Sequence, residues 1–361
     1  MIDEYPKDLE KQEEELLTLN DFDETPPSDI VAFNELRSCA DLVRMYRSKQ
    51  LDIKPDFQRD LVWPKSDQTR FIDSLVKQLP IPSMCISLDY NTGKRLVIDG
   101  LQRMSSIISF LDDKSWKLSR LEDIDERISG KTVRHICEKH QEIYSRVENL
   151  TIPVTVLRCD YAKEKHMQYL FTIFHRLNTG GNKLTNQEIR NCIFQGSFNN
   201  LLKELVQSSK FRKLLGLEDK KTYRFNYEEL ILRVFAMESN YDNYNGRLAK
   251  FLNSFMDENK NADENVLAQM QSRFNKTIDL IFVKILDQNH LSRISKTTTE
   301  AILVGVLRNL DTLQNQEKSE LKSKLKQLRE HPDFSVENLK GGLNHKDKVK
   351  NRLNTAIKIF S

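Results

Sequence analysis

Five cysteines in 361 residues, Cys39, Cys85, Cys137, Cys159 and Cys192, are too few, too far apart and odd in number to form a disulfide scaffold. With no Cys-x-x-Cys pair among them, a structural zinc site is not expected either. No run approaches the roughly 18 consecutive apolar residues that a membrane span needs. The opening Met1-Ile2-Asp3-Glu4-Tyr5-Pro6 has neither a basic segment nor an apolar stretch behind it, which predicts a cytoplasmic protein. There is no Gly-x-x-x-x-Gly-Lys-Ser/Thr loop, so P-loop phosphate chemistry is excluded. The seven histidines, at 135, 140, 166, 175, 290, 331 and 345, never stand at metal-ligand spacing or in a His-Ile-x-Pro context, so a histidine-based, metal-dependent nuclease site is not expected.

What remains is a soluble composition, 39% hydrophobic and 30% charged, in a chain long enough for two domains. Charge is unevenly spread. Residues 1–29 carry eleven acids against two lysines and close on Thr25-Pro26-Pro27-Ser28-Asp29, an acidic arm with a Pro-rich joint. The rest holds 54 basic against 42 acidic residues, and residues 315–361 hold eleven Lys and Arg against six acids. Lys318, Lys322, Lys324, Lys326 and Arg329 could follow a nucleic-acid backbone, or simply be solvated.

Periodicity divides the chain. Extended runs are expected at Ile30–Leu36, Asp52–Arg59, Met84–Leu88, Arg95–Ile98 and Thr151–Leu157, with a hairpin across Asn91-Thr92-Gly93. Ser38 to Asp41 forms a capping signal for one helix, Ser66 can cap the next, and Asp160 a later one. Asp112 to Asn149 reads as a polar insertion. Beyond Thr185 the pattern is helical to the end. The expected organisation is an arm, 1–29, an α+β domain, 30–180, and an all-α helical domain, 181–361.

Three constellations could carry chemistry. Asp99-Gly100-Leu101-Gln102-Arg103 falls where a strand gives way to a helix, and a helix N-terminus offers unpaired amides and a positive dipole to an anion. Gly100 would let a ligand approach, Arg103 would bind phosphate oxygens, Asp99 would cap the helix or hold a phosphate-bound metal, and Gln102 would orient water or a base. In Pro55 to Trp63, Arg59 could pair with phosphate while Trp63 stacks on a base or plugs the core edge. In Phe174 to Glu188, Arg176, Asn178, Thr179 and Lys183 gather donors at a helix–loop–helix corner, where Gly180 and the Thr185/Glu188 pair have capping roles.

Together, Phe57-Gln58-Arg59 with Trp63, Leu79-Pro80-Ile81-Pro82, Ile98 to Arg103 and Phe174 to Asn191 resemble the N-terminal domain of GmrSD-type restriction enzymes. The likeness extends from about Ile30 to Asp257 and takes in Glu228 to Arg233 and Lys250 to Asn253. It implies a ParB/sulfiredoxin-like domain that binds a nucleoside triphosphate with Mg²⁺, and could hydrolyse it as an NTPase, as a switch in restriction of modified phage DNA. Asp99, Gln102 and Arg103 are implied as catalytic, and Arg59, Trp63, Gly100, Arg176, Asn178, Thr179 and Lys183 as nucleotide-binding. Leu101 stands where the family's usual Asp-Gly-Gln-Gln-Arg has its first Gln and where sulfiredoxin has its reactive cysteine, so thiol chemistry is not available. The histidine pattern does not match the HNH nuclease domain that many members carry, which implies DNA cleavage through a separate nuclease or defence subunit. A non-catalytic ParB-like DNA-binding module is the rival reading.

Overall fold

The β-rich runs of the first half assemble into one mixed sheet. In the computed structural model the described residues are 25–53, 63–177, 184–217, 226–291, 294–339 and 341–361. They fall into two compact units, within Glu24–Leu184 and Thr185–Ser361. The first is α+β. Its strands β1 (Val31–Ser38), β2 (Leu51–Asp52), β3 (Met84–Asp89), β4 (Arg95–Asp99) and β5 (Thr151–Cys159) lie in the order β1-β5-β3-β4-β2. β5 runs antiparallel to β1 and parallel to β3, while β3–β4 is the expected hairpin and β2 adds parallel to β4.

Alternation along each strand decides what is buried. Ile152, Val154 and Val156 of β5 enter the core with Met84 and Ile86 of β3 and Val97 of β4, while Pro153 and Thr155 take the other face. Pro153 is tolerated because β3 joins β5 only from Met84 and Val154 onward, so no ladder bond with β3 is lost. Five helices supply most of the rest of this core: α1 (Cys39–Arg47), α2 (Lys65–Val76), α3 (Leu101–Asp112), α4 (Val133–Lys139) and α5 (Gln141–Asn149). A sixth, α6 (Glu164–Leu177), packs against β4. Each fully buried Leu, Ile or Phe here contributes ~1.5–3 kcal/mol.

Ser38 accepts the Asp41 amide at 3.1 Å and starts α1 as expected. Pro64, not Ser66, precedes α2, because its fixed φ already suits a helix start. The Asp160 carboxylate binds the Ala162 amide at 2.9 Å, and α6 begins later, at Glu164. The strand expected over Asp52–Arg59 is formed only at Leu51–Asp52, and residues 54–62 lie outside the described set. The stretch read as a polar insertion instead holds α4 and α5, whose Val133, Ile136, Ile143 and Val147 join the core. Charged neighbours on the solvent side had masked that stripe.

Among its described residues the second unit contains helices and no strand. They are α7 (Asn186–Ile193), α8 (Ser197–Val206), α9 (Ser209–Leu214), α10 (Asn226–Asn240), α11 (Leu248–Asn259), α12 (Glu264–Asp279, prolonged by a π-helical turn at Leu280–Ile285), α13 (Lys296–Arg308), α14 (Leu310–Leu313), α15 (Lys318–Glu330) and α16 (Lys346–Phe360). The basic stretch on α15 is largely paired: Lys318 and Lys322 share Asp287, Lys324 reaches the Ser361 carbonyl at 2.6 Å, and Lys326 lies 3.8 Å from Glu330. That favours a solvated face over a ready track for phosphates.

Candidate functional site

The strand-to-helix junction is made in a single residue. β4 ends at Asp99, which a bulge in β4, with Ile98 as the extra residue, sets opposite Cys85. Gly100 then takes φ +99° and ψ 15° as the N-cap of α3. An L side chain resists that conformation, and a Cβ here would meet Met84 Cγ at 2.8 Å. The glycine is thus demanded by backbone angle and by Met84, which fills the side on which a ligand's approach was expected.

Asp99 is not the helix cap. Its carboxylate accepts from Arg103 Nη2 at 2.6 Å, one helical turn away, and its side chain is 41% exposed. The Arg103 side chain is 12% exposed, with Nη1 donating to the Pro82 carbonyl and, at 3.4 Å, to that of Ser83. The guanidinium is held at the β3 entry while its carboxylate partner is partly exposed. Gln102 Oε1 accepts the Trp63 amide at 2.9 Å, and Gln68 donates to the Trp63 carbonyl at 2.8 Å. The Trp63 ring meets Phe71 edge-on at 5.7 Å, so the indole packs on the core margin. The first two constellations therefore meet through Gln102 and Trp63, and Leu101 turns to the core as its apolar character requires. Arg176 is exposed in the last turn of α6, the helix packed on β4. Arg59, Asn178, Thr179 and Lys183, and the Gly180 cap, lie outside the described residues.

Beside Ser83 opens a groove lined by Asn34, Glu35, Leu36, Pro153 and Thr155. Ser83 and Thr155 hydroxyls stand 3.2 Å apart, and Thr155 donates to Asn34 Oδ1 at 2.9 Å. These polar groups come from β1, β5 and the residue ahead of β3, segments distant in sequence, so no local motif announced them. Cys85 is no nucleophile: burial, with Asp99 adding to it, pushes its thiol up to about 12. The donor set suits a Mg²⁺ ion that arrives on phosphates, because Asp99 supplies one accessible carboxylate. Among the described residues no three His, Cys, Asp or Glu side chains gather to hold a resident ion.

A second cluster ties the start of β1 to α6. Asp29 pairs with Lys163 at 2.5 Å and with His166 Nε2 at 2.9 Å, while His166 Nδ1 accepts the Asp160 amide at 2.9 Å. The amide on Nδ1 sets the tautomer, leaving Nε2–H to donate to the carboxylate. Lys163, then His166, hold the Asp29 carboxyl at about 2, below its ordinary 3.8. A depressed carboxyl stabilises the fold above the unfolded value and loses that contribution as pH falls through the folded one. The stability difference between wild type and Asp29→Asn, from urea titrations, is therefore expected to be constant above about pH 5 and to shrink toward pH 2. A difference unchanged down to pH 2 would contradict this.

Thr185, Glu188 and Arg190 of the later motif have structural partners. Every residue of α7 is buried. Thr185 and Glu188 form the expected capping box, with Glu188 N to Thr185 Oγ1 at 3.2 Å. Arg190, 1% exposed, donates to Asn253 at 2.8 Å and to Glu229 at 2.9 Å, and Arg233 pairs with Glu300 at 2.6 Å. Burial lowers the Arg190 pKa, and the Glu229 carboxylate offsets part of that cost.

Residues 39–195 match the family model described as GmrSD restriction endonuclease, N-terminal domain. No curated protein and no solved structure matches the chain. The matched segment holds the whole path from α1 through the Asp99–Arg103 junction to α7, and it is this part of the chain that is similar to GmrSD restriction endonuclease N-terminal domains.

Proposed function

We infer that the domain binds a nucleoside triphosphate with Mg²⁺ at the Asp99–Arg103 junction and acts as a nucleotide-dependent switch in GmrSD-like, modification-dependent restriction or antiphage defence, with DNA and a separate nuclease or defence subunit as partners. The observation that carries the reading is the Asp99–Arg103 pair itself, an arginine poised at a helix N-terminus and held by an exposed carboxylate. As a bare ion pair it is close to neutral and repels no phosphate. Asp99 would hold a Mg²⁺ ion that comes with the nucleotide, the ion would supply positive charge there, and Arg103 would bind the phosphate oxygens. Gln102, fastened to the Trp63 backbone, positions the first turn of α3, and exposed Arg176 offers a second cation from the helix packed on β4. The ParB/sulfiredoxin-like reading of the fold rests on the same junction of strand, glycine and helix.

Calorimetry with each of the four ribonucleoside triphosphates, with and without Mg²⁺, tests it. Binding is expected to need Mg²⁺ and to weaken at least tenfold, about 1.4 kcal/mol, in Arg103→Ala. Absence of binding by all four nucleotides, or equal binding by the variant, removes the proposal. Duplex binding that falls steeply with salt and ignores nucleotide would point to the DNA-binding module instead.

A further inference from the structure

The outer edge of β1 is arranged to receive another strand. Ser38 faces Thr151 in the β1–β5 register, and one step on the Cys39 amide donates to the Leu150 carbonyl at 3.0 Å. Hydrogen-bonded and non-bonded pairs alternate in an antiparallel ladder. The odd-numbered residues of β1 therefore bond to β5, and the amides and carbonyls of Ala32, Asn34 and Leu36 point to the open edge. The Thr155–Asn34 side-chain bond agrees, since non-bonded pairs stand closest. Among the described residues no strand pairs with that edge.

The usual guards of an edge strand are missing. β1 has no lysine, no proline and no register shift, and Arg37 is engaged by Glu35 and Asp41 of its own chain. Val31, Phe33 and Leu36 are exposed, Leu36 by 68%. Both ends are anchored, by the Asp29 contacts and by Ser38 as the cap of α1, so little ordering entropy opposes docking.

We propose that β1 pairs antiparallel with β1 of a second copy of this chain about a two-fold axis at Asn34, joining the two sheets edge to edge. The three outward residues are symmetric about Asn34, so this register uses all of them, in roughly six backbone hydrogen bonds. Large Leu36 then lies opposite small Ala32 and is covered. Glu35 falls opposite Phe33 and not its own copy, which avoids a like-charge pair. One acid and one base per strand leave the approaching edges without net repulsion.

Sedimentation velocity of the full chain at concentrations on the order of 10 µM decides it. Wild type is expected as a dimer. Asn34→Pro removes an outward amide without touching the β5 ladder, and Leu36→Lys places a charge on the covered side chain; both are expected as monomers that retain the wild-type far-ultraviolet spectrum. Should Asn34→Pro fail to fold, Leu36→Lys carries the test alone. A monomeric wild type, open-ended polymers, or a dimer that persists in folded variants overturns the proposal.

Discussion

Gly100→Ala is expected to lower the stability of the α+β unit by about 2–5 kcal/mol. Two costs combine. A left-handed residue with a Cβ is strained by ~1–2 kcal/mol, and overpacking against Met84 adds ~1–3 kcal/mol. Met84 Cγ would lie 2.8 Å from the new carbon and Met84 Cβ 3.2 Å, so rotating the flexible end of the methionine relieves only part of the clash. Thermal unfolding should move down on the order of 10 °C. In a Met84→Ala background the steric part disappears while the dihedral part stays, so the double-mutant cycle separates them. A melting point within a degree or two of wild type would mean that the junction does not need its glycine.

Glu300→Ala is expected to cost about 3–5 kcal/mol in the helical unit, because it strands Arg233 in a site where both partners are nearly inaccessible. The pair itself need not be net stabilising. Replacing both residues, Arg233→Met with Glu300→Leu, should recover most of the loss, since the desolvation of both charges vanishes together. Urea titrations of the two single variants and the double variant check this. Equal losses in Glu300→Ala and in the double variant would show that packing volume, not the unpaired charge, sets the cost.

The Arg233 result bears on how the motifs are interpreted. Asp99 to Arg103 and the Arg190, Glu229, Arg233 and Asn253 positions look alike in sequence, as polar residues in a recurring pattern. The fold separates them. The first group lies at a junction with an exposed carboxylate, whereas Arg190 and Arg233 are buried and compensated by carboxylates from other helices. Trp63 shows the same division, with its backbone bonded to Gln102 and its ring packed on Phe71.

Much of the α+β unit was legible because its signals are local. The hairpin at Asn91-Thr92-Gly93, the Ser38 and Thr185 caps, the strand-glycine-helix junction and the helical second half each follow from propensity and periodicity within about ten residues. The buried stripe of α4 and α5 was not, since isolated apolar residues among charges match a helix or a loop equally well until a core is present to receive them.

Sequence alone therefore determined the class of the fold, the β3–β4 hairpin, the strand-glycine-helix junction and the helical character of the second half. Tertiary structure alone decided that Met84 occupies the space beside Gly100, that Arg103 rests on Asp99 and two β3-entry carbonyls, and that β1 is left at an edge. The reason is range: backbone preference acts between neighbours in the chain, whereas pairing of charges, filling of volume and strand order depend on residues that only folding brings together.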